Sequence, residues 1–90
     1  MGSASHWTLD ARRLTEALER WRSLTPDSAS VDHVNDFLMD LVIDPFECGE
    51  EDGDTGNFTG LAGSPARPII IVYVPDPASR RVFVADINFA

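Results

Sequence analysis

Six consecutive residues, Ile69-Ile70-Ile71-Val72-Tyr73-Val74, constrain the fold of this chain more than any other segment. All are apolar and β-branched or aromatic, so neither face of the strand they form suits water. The pattern predicts a buried strand, and a chain of 90 residues has little else with which to bury it. Pro75-Asp76-Pro77-Ala78-Ser79 follows with turn residues, and Arg81 to Ile87 reads as a second apolar strand. Residues 69–87 are therefore predicted to be an antiparallel β-hairpin.

The covering layer lies upstream. Thr8 is the expected cap of a first helix with Asp10 in its first turn, and Leu14, Ala17, Leu18, Trp21 and Leu24 recur at the helical period. Thr25-Pro26-Asp27 reads as the cap, first position and first-turn acid of a second helix. Its apolar stripe is Val31, Val34, Leu38, Leu41 and Val42, and Pro45 stops it near Asp44. Residues 8–44 thus read as an αα-hairpin. Residues 45–68 turn to Gly, acid and small polar side chains, a loop region with one short strand at Asn57–Leu61. The expected fold class is α+β, an N-terminal αα-hairpin packed on a small antiparallel sheet in one domain spanning 1–90. Residues 1–6 read as a disordered or cloning-derived leader.

The single cysteine, Cys48, cannot close an internal bridge and points to a reducing compartment. No apolar run approaches the ~18 residues of a membrane span, so the expected location is the cytoplasm, with no membrane contact.

Charge is unevenly placed. The net charge is −8, yet residues 1–25 and 55–90 each carry +1, leaving −10 on residues 26–54, which contain no Arg or Lys. Such a field repels nucleic-acid phosphate and attracts basic surfaces, so direct nucleic-acid binding is not expected. Asp32, Asp36, Asp40 and Asp44 recur every fourth residue and form a stripe along one side of the second helix. Like charges at that spacing cost ~0.2–0.5 kcal/mol per neighbouring pair, and anions near a helix C-terminus are unfavourable. The stripe, continued by Glu47, Glu50, Glu51, Asp52 and Asp54, reads either as a solvated face or as a surface presented to a basic partner.

A calcium loop is not expected within this cluster, and a solvated acidic loop is the better reading. Glu50, Asp52 and Asp54 alternate suitably, but the sixth position is Thr55 instead of Gly and the twelfth is Leu61 instead of Glu. No metal or cofactor is expected. Cys48 lies among acids, which raise a thiol pKa and blunt its nucleophilicity.

The order of elements resembles the RelE/ParE superfamily of toxin–antitoxin toxins. Trp7-Thr8 leads into the first helix, Asp44-Pro45-Phe46-Glu47-Cys48-Gly49-Glu50 looks like a D-P-x-x-x-G-E stretch after the second, and Ile71-Val72-Tyr73-Val74, Asp76 to Arg81 and Val82-Phe83-Val84 look like the family's closing hairpin. The resemblance runs from about Trp7 to Ile87. It implies a protein partner, an antitoxin that wraps the domain, with Ile69–Val74 or Val82–Ile87 as a strand edge for it. Two departures accompany it. The family opens with a full strand, for which only Ser3 to Trp7 is available here. Its members that cleave messenger RNA use basic side chains to stabilise charge on phosphate. The Arg-rich stretch that follows G-E in the family reads Glu51-Asp52-Gly53-Asp54 in this chain. Arg67, Tyr73, Arg80 and Arg81 are the remaining catalytic candidates, and ribonuclease activity is not expected. The rival expectation is a non-enzymatic acidic inhibitor of phage type, which occludes the basic channel of a nucleic-acid-handling protein by charge mimicry.

Overall fold

A computed structural model describes residues 6–90. The expectation for residues 1–6 therefore falls, His6 apart, outside the described residues, as does the Ser3–Ser5 part of the proposed opening strand. The elements run β1 (Thr8–Leu9), α1 (Ala11–Arg22), α2 (Ser28–Ile43), β2 (Glu50–Glu51), β3 (Phe58–Ser64), β4 (Arg67–Asp76) and β5 (Arg81–Phe89). The strands form one sheet in the order β1-β5-β4-β3-β2. It is α+β as expected, but the sheet is mixed, because β1 pairs parallel to β5 through Thr8–Arg81 and Leu9–Val82.

The opening strand is stunted and sits at Thr8–Leu9. Thr8 N donates to Arg80 O at 2.9 Å and Asp10 N to Val82 O at 2.9 Å, which holds the chain extended through Thr8. The cap of α1 is consequently Asp10, whose carboxylate accepts from Arg13 N at 3.0 Å and from Arg81 at 3.3 Å. At α2 the boundary also shifts. Asp27 is the N-cap residue, with its carboxylate taken by the Ser30 hydroxyl at 2.6 Å and by Arg67 at 3.3 Å. The Ser30 hydrogen bond holds the Asp27 carboxyl below its ordinary pKa.

The helices cover one face of the sheet, α1 along β5 and α2 over β3. They pack on strands far more than on each other, so the expected αα-hairpin is a pair in sequence and not a packed unit. In α1, Ala17 and Trp21 are buried, whereas Leu24 is exposed because the helix ends before it. In α2 the buried positions are Ser30, Val34, Phe37, Leu38 and Leu41, with Val31 and Val42 only half-buried.

The strand expected at Asn57–Leu61 forms, and it runs three residues further. Residues 58–64, expected as loop apart from a short strand, form a seven-residue strand paired with β4 from Phe58–Tyr73 to Ser64–Arg67. The Phe37 ring lies directly on this strand. A Cβ built on Gly60 would stand 2.2 Å from Phe37 Cζ, so glycine is the residue that lets helix and strand meet. The glycine inside the expected strand marks close packing of helix on sheet.

The hairpin of β4 and β5 forms as expected, longer at both ends. Asp76 organises its turn by accepting from Ala78 N at 3.2 Å and Ser79 Oγ at 2.8 Å. Ile69, Ile71, Tyr73 and Pro75 are buried under the helices, but the intervening Ile70, Val72 and Val74 are half-buried on the opposite, uncovered face. The strand is central yet closed on one face only. In β5 the pairs Tyr73–Val84 and Val72–Asp86 leave Ala85 without a partner. This bulge returns Ile87 and Phe89 to the face already used by Val82 and Val84. Arg20 donates to the bulged Ala85 carbonyl at 2.7 Å.

Candidate partner-binding site

The four catalytic candidates do not assemble. Tyr73 has no exposed surface, stacks on Phe58 at 5.6 Å and donates its hydroxyl to Pro45 O at 2.6 Å. Burial pushes the phenol well above its ordinary pKa, with Cys48 and Asp44 adding to the shift, so it offers no proton near neutrality. Arg67 pairs with Asp27 and lies 4.3 Å over the Phe89 ring. Arg81 pairs with Asp10, and Arg80 lies 5.2 Å over Trp7. Arg67 begins the ten-residue β4 and Arg81 pairs with its last residue, which separates them by about 30 Å of strand.

The stretch that carried the family resemblance is a clasp. Pro45 is buried and its carbonyl receives Tyr73, Cys48 Sγ donates to Asp44 O at 3.2 Å, and a Cβ on Gly49 would stand 2.6 Å from Thr59 O and 2.9 Å from the Tyr73 hydroxyl. Glycine here allows the chain to reach the core and then run out as β2.

The acids, by contrast, gather. Asp32, Asp36, Asp40 and Asp44 are all exposed along α2, and Glu47, Glu50, Glu51, Asp52 and Asp54 are exposed beyond it. Three contiguous depressions run along this side. The first, of about 510 Å³, is lined by His6, Asp36, Met39, Asp40, Val42 and Ile43. It shares Asp40 and Ile43 with a second, which reaches Phe37, Asp44, Glu47, Cys48 and Leu61. That one shares Cys48 and Leu61 with a third beside Glu50, Thr59 and Gly60. Asp52, Asp54 and Glu51 stand apart at the β2–β3 turn, where Asp52 closes the loop through Asn57 O at 2.7 Å and Gly56 N at 2.9 Å.

The floor of this groove was not read from the sequence. Met39 and Ile43 are 69% and 63% exposed, large apolar side chains among carboxylates, and Leu61, 70% exposed, borders the groove from the edge of β3 with its side chain toward the uncovered sheet face. Met39 and Ile43 are four apart on α2 and off its buried stripe, so they share one exposed side of the helix beside Asp36 and Asp40. Both ion pairs of the described residues lie away from the groove, so its carboxylates have no paired cation there.

Cys48 lines the groove without offering chemistry. Burial raises its pKa, and Asp40, Asp44 and Glu47 raise it further. Its alkylation by iodoacetamide at pH 8 is expected to run slower than that of free cysteine and to go on rising with pH after free cysteine has levelled off. A stopped-time mass measurement across pH checks this, and rapid reaction at pH 7 would place a cation beside the thiol. No three His, Cys, Asp or Glu side chains converge as metal ligands among the described residues. No described helix is long and apolar enough to cross a membrane.

Comparison with known proteins found no matching family, no matching curated protein and no matching solved structure.

Proposed function

We propose that this chain is a RelE/ParE-like domain that acts by binding a basic protein segment, of antitoxin type, and does not cleave RNA. The observation that carries the reading is the groove of α2, where Met39 and Ile43 stand exposed among Asp36, Asp40, Asp44 and Glu47, with Leu61 exposed at its border. Apolar anchors within a charged rim are the anatomy of a protein interface. The β1-α1-α2-β order supports the resemblance, and the two-residue β1 against β5 departs from the full opening strand of that family. The dispersed arginines and the buried Tyr73 argue against a phosphate-handling centre.

The rival reading, an acidic inhibitor that imitates nucleic acid, draws on the same unpaired carboxylates. A phosphate mimic has no use for three exposed apolar side chains, and this favours the first reading. Capture from lysate of the cells that carry the chain, treated with nuclease and washed at rising salt, separates them. A small basic protein retained at high salt, and lost with Met39→Ser and Ile43→Ser, is the expected result. A large nucleic-acid-handling complex released as salt rises, and indifferent to those substitutions, would make the chain an inhibitor.

A further inference from the structure

From the open edge of β3 we infer that the basic partner segment binds as an added strand, with apolar and basic residues in alternation; this rests on the protein-binding reading above. β2 pairs with β3 only at Glu50–Thr59 and Glu51–Phe58. On the side away from Arg67–Ile70, residues Leu61 to Ser64 have no strand partner among the described residues. The cause is local. Preceding Glu50, the chain turns inward at Gly49 to reach Tyr73 and α2, and so vacates the line that β2 would otherwise continue.

Natural edge strands are blunted by a charge, a proline or a bulge. β3 reads Phe-Thr-Gly-Leu-Ala-Gly-Ser, with no charge and no proline, and Leu61 stands 70% exposed at its middle. The protection comes from outside the strand, from Asp40, Asp44, Glu47 and Glu50 around the edge. A second copy brings the same acids to the same edge and is repelled. A segment carrying Lys or Arg is attracted. The acids therefore select the occupant as well as guard the edge.

The geometry also specifies the pattern of that segment. Side chains of an added strand alternate between two faces. On one side lies the groove with Ile43, Asp40 and Asp44, which suits a basic residue with an aliphatic stem. On the other lies the uncovered sheet face with Leu61 and its cross-strand neighbour Ile70, which suits a β-branched residue. Main-chain hydrogen bonds supply affinity, and the alternation supplies selectivity.

The test uses the whole chain with a synthetic peptide alternating valine and arginine, and with the same peptide N-methylated at every second residue. Amide exchange of residues 61–64 is followed, together with affinity. The expected result is binding by the first peptide with slowed exchange at 61–64, and about tenfold or more weaker binding by the methylated one. Leu61→Lys, at an exposed position, is expected to weaken binding by a similar factor with no change in thermal midpoint. Equal binding of both peptides overturns the strand mode and leaves the basic-partner reading standing. Binding by neither peptide overturns both. Concentration-dependent dimerisation that protects residues 61–64 without peptide would make a second copy the occupant and overturn the selection argument.

Discussion

Tyr73→Ala is expected to lower the thermal midpoint by roughly 15–30 °C, whereas Tyr73→Phe is expected to cost only ~1–3 kcal/mol. The ring is fully buried between Phe58 and Phe37, with centroids 5.6 and 6.0 Å away, and truncating an aromatic in such a place costs ~3–5 kcal/mol. A small domain has only ~5–15 kcal/mol to lose. The phenylalanine variant keeps the ring but leaves Pro45 O without its donor in a buried site. Gly49→Ala attacks the same clasp from the other side, because its Cβ would crowd the Tyr73 hydroxyl. Urea titration followed by circular dichroism measures all three. A Tyr73→Phe variant of full stability that had lost a biological activity would show the hydroxyl to be chemical, and the clasp account would fail.

Replacing Asp36, Asp40 and Asp44 together by Asn is expected to raise stability while removing the attraction for basic partners. Three like-charge pairs, Asp32–Asp36, Asp36–Asp40 and Asp40–Asp44, cost ~0.2–0.5 kcal/mol each at this spacing. Asp40 and Asp44 also stand at the C-terminal end of α2, where an anion costs ~0.3–1 kcal/mol. Their relief predicts a gain of roughly 5–10 °C in thermal midpoint. Asn at position 44 still accepts from Phe46 N, a bond of 3.1 Å in the parent, so the helix end is retained. Added sodium chloride should raise the midpoint of the parent and leave the variant almost unmoved, since screening relieves the same repulsion. A variant less stable than the parent would mean that the stripe is compensated within the domain, and the case for an external basic partner would weaken. The pairing of gain in stability with loss of binding is the pattern expected where a surface is kept for a partner.

The elements that the sequence made legible are those whose signal is local. The 69–87 hairpin follows from β-branched runs and turn residues, and the stop of α2 follows from Pro45. The helix starts missed by two residues, that of α1 because backbone pairing with β5 holds Thr8 extended and that of α2 because Thr25 takes a left-handed turn conformation. β3 was expected as Asn57–Leu61 and runs on to Ser64, because residues 62–64 are small, carry no β-branched signal, and gain their strand form from pairing with residues 67–69 of β4. Of the site, the carboxylates were visible as a charge run. Met39, Ile43 and Leu61 were not, because exposure of an apolar side chain depends on where every other element ends. The arginines illustrate the reverse, since a count of cations near a motif says nothing about the strand length that separates them.

The seating of α1 against β5 sets an order for the making of this protein. Ala17 and Trp21 are synthesised early, yet Trp21 rests on Phe89 at 4.8 Å, and Thr8–Leu9 pairs only with Arg81–Val82. Contacts between such distant parts of a chain form slowly. On the ribosome they cannot form at all until the last strand has left the exit tunnel. A nascent or truncated chain that lacks β5 holds an amphipathic helix with no surface to cover it, and is expected to be read by chaperones and proteases as unfinished.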